Sequence, residues 1–204
     1  MRTWLITICM WLLMASGSFL LVLGGMDYWE SHKGQNEVSE EWQQLTPDGQ
    51  AGRPSSSGTV PRVAPPPPGA AVARLTIPRL NAVLYVVEGA DNRNLKRGPG
   101  HLTGTVLPGE EGNCVIAGHR DTHFRILKDI QKGDEVILSR DGHEFRYKVE
   151  DTQIVLPTNT ASLKPTEAPV LNLVTCYPFY YVGSAPKRFI VHAALDPTPL
   201  QAVR

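Results

Sequence analysis

Val170-Leu171-Asn172-Leu173-Val174-Thr175-Cys176 decides the reading of this chain. It is an apolar run, β-branched at several positions, and it ends in a cysteine followed by the break Tyr177-Pro178. β-Branched residues favour a strand, and a Tyr-Pro step ends one. A thiol at the end of a strand is held rigidly and faces a loop, which suits a nucleophile. Upstream, Asn113-Cys114-Val115-Ile116-Ala117-Gly118 repeats the pattern, a strand running into a glycine with His119 just beyond it. Downstream, Arg188 opens the apolar run Phe189-Ile190-Val191, 12 residues after Cys176. A thiol, an imidazole and a guanidinium are therefore available at strand ends.

From about Ala73 onward the chain is a series of short β-type runs. They are Arg74–Ile77, Val83–Val87, Asn113–Ala117, Glu135–Ser139, Glu144–Glu150, Gln153–Leu156, Val170–Cys176 and Arg188–Ala194. Arg140-Asp141-Gly142-His143 separates two of them, and Asp-Gly supplies the positive φ angles of a type I′ hairpin turn. Two short helices are expected, at Asn92–Lys96 and Phe124–Ile130. Eight short strands with few helices predict a mainly β domain, a barrel or sandwich, over residues 73–196. Residues 197–204 form a tail.

The N-terminal part is different in kind. All four tryptophans of the 204 residues (Trp4, Trp11, Trp29 and Trp42) fall in the first 42. Trp4 to Met26 carries no charge. As a helix this run would span about 34 Å, enough for a bilayer core of roughly 30 Å. Arg2 precedes it and Asp27 and Glu30 follow, so the basic side is expected in the cytoplasm and the bulk of the chain outside. Residues 1–26 therefore read as a single-pass membrane anchor, with the lipid bilayer as partner through residues 4–26. A signal peptide cleaved near Ala15-Ser16-Gly17 is the alternative, but the apolar run continues past that point.

Residues 27–72 read as a stalk. Residues 30–71 contain seven prolines, five serines and five glycines, ending in Pro65-Pro66-Pro67-Pro68-Gly69, a composition that buries no core. The proline run predicts an extended spacer. Val38, Trp42 and Leu45 recur at helical spacing, so Asp27–Leu45 is a candidate short helix. Formal net charge is zero, which gives no electrostatic reason for a nucleic-acid partner.

Of the three cysteines, Cys9 lies in the anchor run. Cys114 and Cys176 lie in the part expected outside, where a structural bridge between them is one reading and a free nucleophile at Cys176 the other. An activated thiol needs a base or a cation beside it. Among six histidines, His119 has the clearest strand-end context. His101, in Gly98-Pro99-Gly100-His101, sits in a tight turn and could line a site; His192 reads as structural. Arg188 is either an oxyanion donor or a surface arginine. His119 and His123 are four apart, a helical metal-ligand spacing, with Asp121 between, but Arg120 stands where the zinc motif has glutamate, and no metal site is expected.

These stretches together resemble the sortases, cysteine transpeptidases that join surface proteins to an acceptor amine outside a membrane. The resemblance rests on Leu75-Thr76-Ile77-Pro78, Gly98-Pro99-Gly100-His101, Gly112 to Asp121, Asn172 to Cys176 and Lys187 to Val191. Ala117-Gly118-His119-Arg120-Asp121-Thr122-His123-Phe124 is most similar to the class D branch. The short anchor and the overall size resemble the Gram-negative subgroup. Asn172 departs from the family's usual threonine.

The resemblance implies an eight-stranded sortase barrel. It implies Cys176 as nucleophile, His119 as acid and base, Arg188 as oxyanion or substrate holder, and Thr175 in the substrate groove. It implies a substrate protein with a C-terminal Leu-Pro-x-Thr-type sorting signal and an amine acceptor as partners. No cofactor is implied, and calcium dependence stays open. It also favours Cys114 as a packed free thiol, since a bridge would consume Cys176.

Overall fold

Two parallel strands, β4 (Asn113–Gly118) and β7 (Val170–Tyr177), form the middle of the fold. They pair in register over six residues, from Asn113↔Val170 to Gly118↔Thr175. The computed structural model describes residues 2–45, 66–181 and 183–196. Residues 46–65, with most of the expected spacer, and the expected tail 197–204 lie outside the described residues.

The remaining strands are β1 (Ala71–Ile77), β2 (Ala82–Glu88), β3 (Gly100–His101), β5 (Glu135–Arg140), β6 (His143–Val155) and β8 (Lys187–Leu195). They close into a barrel in the order β1-β2-β3-β4-β7-β8-β6-β5, with β5 returning to β1. The mainly β, eight-stranded expectation holds. Inward side chains from every strand but β3, among them Leu75, Val86, Ile116, Leu138, Tyr147, Leu171 and Val191, make one continuous core. The β5–β6 hairpin turns at Asp141 (φ 51°) and Gly142 (φ 76°), as its Asp-Gly pair demands.

Two strand assignments differ from the sequence reading. Glu144–Glu150 and all of Gln153–Leu156 but its last residue belong to one strand, β6, whose pairing with β8 shifts register between Val149 and Asp151. The extra residue reverses the in–out alternation, so a continuous strand reads as two. The eighth strand is instead β3, a two-residue element that pairs parallel with β2 and antiparallel with β4. Its Pro-Gly surroundings read as a turn.

Helix α1 runs from Arg2 to Leu45 without interruption, so the anchor run and the candidate helix after it are one element. Among the described residues no helix is long and apolar enough to cross a membrane. Against the expectation of a stretch that buries nothing, the end of α1 packs on the barrel. Val38 is fully buried with Ala71 and Val87, flanked by Trp42 and Tyr85. Gly34 makes this approach feasible, since a Cβ there would lie 2.6 Å from Arg97 Cα.

The contact also solves a problem of the sheet. β3 is too short to cover the edge of β2, which leaves the Tyr85 backbone unpaired. Gln35 takes the place of a strand there. Its Oε1 accepts from Tyr85 N (2.8 Å), and its Nε2 donates to Tyr85 O (3.1 Å) and Arg97 O (2.8 Å). Helix α2 (Asn92–Arg97), capped by Asp91, completes the contact through Arg97 and Glu41, 3.6 Å apart. Gln35→Ala therefore strands three half-buried backbone groups. It should destabilise the fold by about 1–3 kcal/mol and raise amide exchange at Tyr85, read by thermal melting and hydrogen exchange.

Candidate active site

The β4–β7 register carries the site. Gly118 lies opposite Thr175 in the last pair of the ladder, and His119 and Cys176 each follow that pair by one residue. On the other side, β7 pairs antiparallel with β8, and Cys176 lies directly opposite Arg188. Residues opposite each other project from the same face, with Cβ atoms about 5 Å apart. Cys176 and Arg188 thus project from one face, and His119 stands one residue past the adjacent end of β4; the three make a row across three adjacent strand ends and all are half-buried. Val155 of β6 extends the row beyond Arg188.

Local packing explains each end. A Cβ on Gly118 would lie 2.6 Å from the Phe124 ring, so glycine is required for the chain to fold back there. Phe124 is fully buried, and its N–H donates to the His119 carbonyl (3.0 Å). After Cys176, the rings of Tyr177, Phe179 and Phe189 pack together, Phe179 and Phe189 edge-on at 5.3 Å. The Tyr177–Pro178 peptide is cis. Arg188 Nη1 donates to the carbonyls of Lys187 (3.1 Å) and Ala185 (3.4 Å), and only this nitrogen is engaged among the described residues.

Thr175 and His101, for which substrate-facing roles were expected, are both buried. Thr175 is buried, and its hydroxyl donates to the Gly118 carbonyl at 2.7 Å. It is a strut between β7 and β4, one residue short of both the thiol and the imidazole. His101 is buried in the barrel wall on β3. Its Nδ1 is 2.6 Å from Glu88 Oε2, and its Nε2 lies 3.0 Å from Val106 O and 3.1 Å from Thr105 Oγ1. Both nitrogens are engaged inside the protein, which explains the histidine without a substrate.

The two barrel thiols have opposite surroundings. Both are free. Cys114 pairs with Leu171, five residues before Cys176 on a parallel strand, so the two lie about 16 Å apart. A disulfide needs Cα atoms within about 7 Å. Cys114 is 1% exposed, and burial pushes its thiol well above the ordinary cysteine range. It is a packed core residue, protonated and inert.

Further residues support the row without any signal in their spacing. Asn172 Nδ2 donates to Asn113 Oδ1 (2.8 Å), and His192 Nδ1 lies 3.0 Å from Asn172 Oδ1. Asn113 Nδ2 donates in turn to the carbonyls of Ser162 and Lys164, both at 2.8 Å. This network ties β4, β7 and β8 to the loop before β7. Arg120 reaches from beside His119 to the loop after Cys176. Among the described residues no group of three or more His, Cys, Asp or Glu is placed to hold a metal ion.

The sortase domain family matches residues 75–196, which is the barrel from β1 to β8. Sortase D of Bacillus subtilis is 43% identical over 128 residues, 62% of this chain and 65% of that protein, so the match spans just under two thirds of its length. The catalytic domain of B. anthracis SrtD is 33% identical, with a TM-score of 0.57 over 69% of this chain and 97% of that one. A Clostridium perfringens sortase D5 transpeptidase shares the fold, with a TM-score of 0.61 and 24% identity over 82% of this chain and 98% of that one. The chain belongs to the sortase family, and the relatives named sortase D agree with the class D-like motif around His119.

Two outcomes follow from the site. In Thr175→Val the Gly118 carbonyl loses its buried donor, at a cost of about 1–3 kcal/mol, and both melting temperature and Cys176 reactivity should fall. In the native protein, iodoacetamide should label Cys176 and leave Cys114 unmodified until denaturant is added, read by mass mapping.

Proposed function

We propose that this protein is a membrane-anchored cysteine transpeptidase acting on a C-terminal sorting signal of the Leu-Pro-x-Thr type. The observation that carries the proposal is the row of His119, Cys176 and Arg188 across three adjacent strand ends. Cys176 sulfur attacks the threonine carbonyl, and Arg188 donors offset the charge that develops on its oxygen. The carbonyl–nitrogen bond breaks, and His119 gives its proton to the leaving amine. The acyl group is then held as a thioester on Cys176. An incoming amine attacks that carbonyl, His119 takes its proton, and the sulfur leaves with the new amide released. Thioester chemistry suits this exchange because the acyl group stays reactive until an amine arrives.

The anchor rests on sequence. The uncharged run Trp4–Met26 is preceded by Arg2 and followed by Asp27 and Glu30, an arrangement that keeps the barrel outside the cytoplasmic membrane. Docking of the α1 C-terminal end on β2 then keeps the barrel close to the membrane surface rather than at the end of a free tether.

The test uses the full chain in detergent micelles with a Leu-Pro-x-Thr-containing peptide, with and without hydroxylamine. The expected result is a peptide adduct at Cys176 by mass spectrometry, absent in Cys176→Ala and retained in Cys114→Ala, with an amine-dependent product. Product formed by water alone, unchanged by added amine, makes the protein a hydrolase. Absence of any adduct across a library of such peptides overturns catalysis and leaves a binding module. Arg188→Lys should slow adduct formation about a hundredfold, because one ammonium does not replace a planar fork; near-normal turnover refutes that role.

A further inference from the structure

Arg120 follows His119 directly, yet its partners lie on the far side of Cys176. Its Nη2 donates to the carbonyl of Tyr181 (3.0 Å) and to that of Gly183 (2.9 Å). Its guanidinium carbon also sits 5.7 Å from the centre of the Tyr181 ring. A parallel contact lies beside it, where Arg125 approaches the Tyr180 ring at 6.0 Å. Both arginines follow β4, and both partners belong to the loop between β7 and β8. The connection that carries the imidazole is therefore tied to the connection that leaves the thiol.

This tie acts where the sheet no longer does. The β4–β7 ladder ends at Gly118↔Thr175, so His119 stands one residue beyond it. Its carbonyl is fixed by Phe124 N–H, but its imidazole has no hydrogen-bond partner among the described residues. The ring is placed by its backbone and by what holds the residues after it. A guanidinium bonded to two carbonyls two residues apart fixes a shape, not only a charge. Both acceptors are backbone groups, so the tie follows the course of the loop whatever its side chains.

Arg120 Nη1 is buried and has no hydrogen-bond partner among the described residues.

We propose that Arg120 is a positioning residue, which holds the Tyr181 and Gly183 carbonyls against the loop after β4 and so sets the imidazole of His119 relative to the Cys176 thiol. The proposal rests on the pairing of those two residues in the reading above.

The test measures alkylation of Cys176 by iodoacetamide in the full chain in micelles, with mass mapping to separate it from Cys9 and Cys114. Arg120→Ala and Arg120→Lys are each made with His119 intact and with His119→Ala. With His119 intact, Arg120→Ala should slow alkylation about 10- to 100-fold, the scale of a misplacement of about 1 Å. In the His119→Ala background the same change should have no further effect, because Arg120 acts through the imidazole. Arg120→Lys should recover little of the loss, and it decides the matter if Arg120→Ala shows no melting transition. Equal slowing in both backgrounds, or a rate within twofold of the unaltered protein, overturns the proposal. A protein with His119-dependent alkylation and no peptide adduct would sink the transpeptidase reading while leaving Arg120's role intact. Alkylation that never depends on His119 removes both.

Discussion

The parallel pairing of β4 with β7 is the constraint on which the site depends. Six consecutive residue pairs bring two apolar strands to the same end of the barrel, and each strand carries its reactive group at or just past the last pair. Parallel strands cannot be joined by a tight turn, so a long connection through β5 and β6 must separate them in sequence. That is why His119 and Cys176 lie far apart in the chain and side by side in the fold. A slip of one residue in this register would send the thiol to the opposite face of the sheet from the imidazole. The antiparallel return through β8 then adds Arg188 to the same row.

Much of what surrounds the row serves to hold that register. The hydroxyl of Thr175 spans to Gly118, and Asn172 spans to Asn113, so β4 and β7 are joined by side chains as well as by their backbones. Buried amides and hydroxyls are costly unless fully bonded, so such links favour one alignment over its neighbours. The amide of Asn172 offers both donor and acceptor. It meets Asn113 with one and His192 with the other.

The N-terminal helix enters this account through the sheet edge. β2 has a short partner on one side, and Gln35 supplies the missing pairing from a helix. The C-terminal part of α1 thereby belongs to the barrel mechanically. A linkage of this kind gives the barrel a defined place relative to whatever holds the helix, which a flexible spacer would not.

The sequence by itself determined the mainly β class, the hairpin at Asp141-Gly142 and the strand-end context of Cys176 and His119. These rest on local patterning, which is written in neighbouring residues. Arg188 was legible from local pattern as the start of a strand, and its role only through the family resemblance; its place opposite Cys176 needed the β7–β8 register. Thr175 was expected to face substrate through the family resemblance and His101 through its tight turn; the internal hydrogen bonds that both side chains make carried no signal in the sequence. Gln35 carried no signal, and Arg120 appeared only as part of the motif around His119, with nothing to mark its partners. Their partners are backbone carbonyls and amides tens of residues away, and a backbone group looks the same at every position. Only the tertiary structure decides which of them a side chain meets, because closure of the barrel sets those distances.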